Sequence, residues 1–94
     1  MMVRLAAVIP WRPGLPLNIP EGVDEVVVVD WVENIGLARI EGARLASAEW
    51  LMQCDGDAYY PPWYAARARE VIESGLYAVF ASLPVRVVTP RTRV

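Results

Sequence analysis

Residues 23–57 read VDEVVVVDWVENIGLARIEGARLASAEWLMQCDGD, and the succession of patterns in this stretch decides the fold. Val23 to Val29 includes four consecutive valines. A β-branched run without alternation predicts a strand covered on both faces, as in a parallel sheet. Asp30 stands at its carboxyl end. Asn34 is a natural cap for a helix running to about Ser47, in which Ile35, Ala38, Gly42 and Leu45 recur at helical spacing while Arg39, Glu41 and Arg44 face elsewhere. Trp50 to Cys54 then reads as a second buried strand that runs directly into Asp55-Gly56-Asp57.

Outward from this unit, Leu5 to Ile9 is an apolar run with strand character, expected to stop at Pro10, which has no N–H for a ladder. Trp11 to Gly22 carries Pro13, Gly14, Pro16, Pro20 and Gly22, a density that predicts an irregular loop. Pro61 and Pro62 suit a first helical turn, and Trp63 to Ser74 has helical spacing in Ala65, Ala68, Val71 and Ile72, closed by Gly75. Leu76 to Ala81 reads as a fourth strand, Val85 to Val88 as a short edge strand, and Pro90 to Val94 as a frayed basic tail. The order predicts one α/β domain over residues 1–94, a mostly parallel open sheet with helices on both faces. Ligands of such sheets sit beyond the carboxyl ends of the strands, where Pro10 to Arg12, Asp30 and Asp55 to Asp57 are expected to gather.

Composition narrows the chemistry. At 94 residues, 55 % hydrophobic and 21 % charged, the chain is expected to fold as a single globular domain. Nine Lys and Arg against eleven Asp and Glu leave a net charge of −2, which argues against general binding to nucleic acid or anionic membrane. A single cysteine excludes an internal disulfide, and with no histidine any metal is expected on carboxylate oxygen, which suits Mg²⁺ or Mn²⁺ and not zinc. No apolar run approaches the roughly 20 residues of a membrane span, and the amino-terminal run is too short for a signal peptide, so a soluble cytoplasmic protein is expected.

Asp55 and Asp57 follow a strand two residues apart, and in extended backbone such residues project to the same side. Two converging carboxylates make an oxygen site for a divalent cation that takes its remaining ligands from water and substrate phosphates. A solvated Asp-Gly turn explains the same tripeptide equally well. Asp30 suits a ribose hydroxyl or a base edge, or caps the following turn. Arg39 suits a phosphate, or belongs with Glu41 and Arg44 to a solvated helix face. Trp11, Trp31, Tyr59 and Tyr60 suit stacking on a base or sugar, or serve as core and interface.

The order of these pieces resembles the nucleotide-sugar-binding half of GT-A glycosyltransferases, particularly the family-2 inverting group. Val8-Ile9-Pro10 resembles the opening strand and proline, and Val26 to Asp30 the second strand with its acidic end. Asn34 to Gly42 resembles the glycine and arginine-asparagine-x-glycine helix, Trp50 to Asp57 the strand leading into the metal-binding DxD, and Pro61-Pro62 the start of the next helix. The resemblance covers Val3 to Pro84. It implies a Rossmann-like minimal GT-A fold and a nucleotide diphosphate-sugar donor. Pro10 and Asp30 would lie near the nucleoside, Arg39 near the helix and phosphates, and Asp55 with Asp57 at Mg²⁺ or Mn²⁺, with Trp11 also counted among the donor-binding residues. Ile40 stands where the family has asparagine, and no carboxylate side chain follows Glu73 to act as the base of an inverting transfer. Two other readings stay open: an inactive GT-A-like assembly module, expected to form a homodimer through Leu76 to Val88, and a nucleotidyltransferase. The latter wants a glycine-rich basic phosphate loop after the first strand, for which Trp11-Arg12-Pro13-Gly14 is a poor substitute.

Overall fold

Strand β1 (Leu5–Trp11) forms the middle of the sheet and is buried along nearly its whole length, as its unbroken apolar sequence requires. The computed structural model describes residues 3–31 and 34–75. β2 (Glu25–Asp30) and β3 (Trp50–Gln53) pair with β1 in parallel on either side, giving the order β2-β1-β3. Helix α1 (Ile35–Leu45) connects β2 to β3, and α2 (Tyr64–Glu73) follows β3. The expected fourth strand, edge strand, tail and dimer surface all lie outside the described residues.

Alternation along β1 divides the core between the two faces. Val8 points to α1, where Gly42 is so close that a Cβ there would meet Val8 Cγ1 at 2.3 Å and Val29 Cγ2 at 3.1 Å. Leu5 points the other way, into a cluster with Val3, Ala65 and Ile72 that docks α2. Ala7, Ile9 and Cys54 continue this second face toward the carboxyl edge, with Tyr60 and Met52 packed against them. Helices on opposite faces of a parallel sheet are what the βαβ pattern predicts.

Three expectations are corrected. The valine strand is not covered on both faces: exposure alternates along β2, and Val26 and Val28 are 40 % exposed. β2 is an edge strand among the described residues, and only its Val27 and Val29 side lies under α1. In α1 itself Ala38 and Gly42 are buried, but Leu45 is 60 % exposed and Ile35 37 %, because the small residues set the contact face and the large ones flank it.

The third correction concerns Pro10, which does not stop β1. The strand runs on to Trp11, and the Trp31 N–H still bonds the Trp11 carbonyl at 2.8 Å on the β2 side. On the β3 side the Cys54 N–H reaches the Val8 carbonyl at 2.9 Å, and the next bond in a parallel ladder would run from residue 10 to the Cys54 carbonyl. Proline has no N–H to give. It therefore ends one ladder and leaves the other intact.

Two carboxylates fasten the amino end of the sheet. Asp24 accepts the Leu5 N–H at 2.8 Å and an Arg69 N–H at 2.7 Å, while Glu25 accepts the backbone N–H groups of Ser47 and Ala48 at 3.0 and 2.9 Å. The backbone donor Leu5, then Arg69, holds Asp24 below its usual pKa of 3.8, and Ser47 and Ala48 do the same for Glu25 from 4.5. A carboxylate with a lowered folded pKa favours the native state above its unfolded value, and that contribution disappears as pH falls through the folded one. Urea midpoints should thus hold steady near neutrality and drop below about pH 4. In Asp24→Asn and Glu25→Gln the midpoint at pH 7 should be lower and the acid drop shallower; an unchanged acid limb in both would remove these two groups as its cause.

Candidate functional site

The Pro10 vacancy in the ladder organises the carboxyl edge. The Cys54 carbonyl, deprived of a strand donor, instead accepts Arg39 Nη1 at 3.1 Å. Arg39 reaches down from α1, whose amino end is set by Asn34: its Oδ1 accepts the Gly36 and Leu37 N–H groups at 2.7 and 3.3 Å, a conventional N-cap. The same guanidinium donates to Gln53 Oε1 at 3.3 Å and, through Nη2, to Asp55 Oδ1 at 2.6 Å. Arg39 is thus spent on the end of β3. Its ion pair with Asp55 is partly exposed, at 28 % and 59 % of the two side chains.

Asp55 and Asp57 do not sit in extended backbone. The Ala58 N–H bonds the Asp55 carbonyl at 3.2 Å, so the two acids occupy the first and third positions of a turn, and the same-side argument from strand geometry does not apply to them. The turn is fixed from beneath by Tyr60, whose hydroxyl accepts the Asp55 N–H at 2.8 Å. Burial raises the Tyr60 pKa, so the phenol stays protonated. Burial also pushes the Cys54 thiol up to about 11, which keeps it neutral and unsuited to nucleophilic or thiolate chemistry. The hydroxyl that positions Asp55 was not evident beforehand: Tyr60 reads as a stacking candidate, and only the turn reveals its polar use.

Gly56 touches the long loop after β1. A Cβ there would lie 2.7 Å from the Pro16 carbonyl oxygen, and the Asn18 N–H bonds the Gly56 carbonyl at 2.8 Å. The loop leaves β1 through a tight turn, Leu15 N–H to the Arg12 carbonyl at 3.2 Å, and Trp11 Nε1 donates to the Leu15 carbonyl at 2.9 Å. It therefore crosses the carboxyl edge of the sheet and rests on the Asp55–Asp57 turn. At the loop's start the Arg12 guanidinium lies 4.4 Å from the centroid of the Trp31 ring.

The structure brings Arg39 and Asp55 into contact, puts Asp57 in the same turn, and places Pro10 at the ladder end that leaves the Cys54 carbonyl to Arg39. Trp11 is tied into the loop by its indole. Asp30 lies apart from the turn: it pairs with Trp11 of β1 at the end of β2 and lines a groove beside α1 with Asn34, Leu37, Ala38 and Glu41. One strand separates it from Asp55, so the two backbones are roughly 10 Å apart at two strand spacings. Trp31, one residue beyond the end of β2, carries the Arg12 guanidinium over its ring. Among the described residues no three metal-binding side chains gather at one place. Asp55 and Asp57 carry carboxylate oxygens, the ligand type that Mg²⁺ and Mn²⁺ take, and one oxygen of Asp55 is held by Arg39. No described helix is long and apolar enough to cross a membrane. Comparison with protein-family models, with curated proteins and with solved structures gives no match.

Proposed function

We propose that this chain is a donor-binding platform of the GT-A glycosyltransferase type, taking a nucleotide diphosphate-sugar through a divalent cation held by Asp55 and Asp57. One observation carries the reading. An Asp-Gly-Asp turn follows Cys54, just past the end of the parallel β3 at the carboxyl edge, and its first carboxylate is held by an arginine from the preceding helix. That edge is where parallel α/β sheets receive nucleotides. A bound Mg²⁺ or Mn²⁺ supplies charge neutralisation for the diphosphate. The chain's own residues then have separate tasks. Arg39 fixes one oxygen of Asp55 and leaves the other to the cation, Tyr60 holds the backbone of the turn, and the loop over Gly56 shields it from one side. Asp30 serves the nucleoside from the far side of β1.

Titration calorimetry of UDP and GDP in the presence of Mn²⁺ tests the assignment. The unsubstituted protein should bind one of them, while Asp55→Ala and Asp57→Ala should each weaken that binding by at least tenfold with far-UV circular dichroism unchanged. Equal affinities in all three proteins would take the site away from this turn. Incubation of the corresponding nucleotide-sugars with Mn²⁺ then separates an enzyme, which releases the nucleoside diphosphate, from a binding module, which does not.

A further inference from the structure

We infer that Arg12 is the guanidinium that receives the diphosphate, and that the Trp31 ring is its resting place in the free protein. This rests on the donor reading above and changes which cation does the work. Six arginines lie among the described residues, and four are committed to carboxylates: Arg39 to Asp55, Arg44 to Glu41, Arg67 to Glu70 and Arg69 to Asp24. Arg4 and Arg12 form no ion pair there. Arg4 precedes β1 and sits at the amino end of the sheet, remote from the turn. Arg12 begins the loop at the carboxyl end, the loop that lies between Trp31 on the β2 side and Gly56 on the β3 side.

Arg39 is a poor phosphate ligand in this arrangement. Its guanidinium already serves Gln53, the Cys54 carbonyl and Asp55, and moving it would leave that carbonyl unpaired beside a proline that cannot replace it. Arg12 gives up only a cation–π contact at an exposed site, a weak interaction that charge-assisted bonds to phosphate oxygen outcompete. The planar fork matches two diphosphate oxygens at once, and a loop-borne arginine adds the positive charge that two aspartates and one divalent ion leave wanting.

Calorimetry with UDP and electron paramagnetic resonance with Mn²⁺ alone test this. Arg12→Gln should bind Mn²⁺ as the unsubstituted protein does, yet bind UDP in the presence of Mn²⁺ at least tenfold more weakly. Trp31→Ala, which frees Arg12 without removing it, should bind UDP as tightly or more so. Arg12→Gln within twofold of the parent for UDP overturns the inference, as does a parallel loss of Mn²⁺, which would place the effect at the metal. Weakening of UDP by Trp31→Ala as large as that of Arg12→Gln overturns it too, by making the ring the ligand. Failure of the unsubstituted protein to bind UDP with Mn²⁺ removes the donor reading itself, a result distinct from normal binding that ignores Arg12.

Discussion

Alanine at position 42 lowers the unfolding free energy by about 1–3 kcal/mol, the cost of forcing a methyl into a filled interior. The added Cβ would lie 2.3 Å from Val8 Cγ1, and Val8 is fully buried in the central strand with neighbours on both sides, so it cannot retreat. Alanine in place of glycine within a helix gains about 1 kcal/mol of intrinsic propensity, which a contact this short overrides. Gly42 is therefore present for the closeness of α1 to the sheet. Urea denaturation of Gly42→Ala measures the loss, and the double variant Gly42→Ala with Val8→Ala identifies its source. Removing the Val8 methyls makes room, so the double variant should be more stable than the sum of the single effects by about 1 kcal/mol or more. Additive losses would show that the contact is not the cause.

Ile9→Ala should be costlier, about 2–5 kcal/mol by the usual range for hollowing a core at isoleucine. Ile9 is completely buried beside Ala7 and Cys54, with Tyr60 against the cluster, and its Cγ2 lies 3.6 Å from where a Cβ on Gly56 would stand. The cavity opens directly beneath the Asp55–Asp57 turn. Stability and binding should therefore fall together: a lower urea midpoint, and weaker UDP binding in the presence of Mn²⁺ even at temperatures where the variant is folded. A variant that loses stability but keeps full affinity would show that the turn does not depend on the packing below it.

The elements themselves were readable because each has a local cause. Asn34 caps α1 as its side-chain chemistry predicts, the proline-rich segment after Trp11 is a loop, and the helical spacing of Ala65 and Ile72 marks the buried side of α2. Which valines would be exposed was not readable. The run Val26 to Val29 is the same in a central strand and in an edge strand, and only the order β2-β1-β3 decides between them. The site was legible as residue types and not as partnerships. Arg39 looked free for phosphate because its position on a helix says nothing of Gln53, Cys54 and Asp55, which come from a strand one crossover later. The acids looked extended because the short range of β3, ending at Gln53, depends on a residue in another strand.

That residue is Pro10, and its effect reaches beyond its own strand. A single imino acid works as a zipper stop on one flank of the central strand while the opposite flank closes past it. Chain beyond the stop is released from the sheet, so the point where scaffold gives way to reactive surface is written into the neighbouring strand and not into the segment that bears the acids. Lengthening or shuffling the acidic segment would leave that frontier where it is; only exchanging the imino acid would move it.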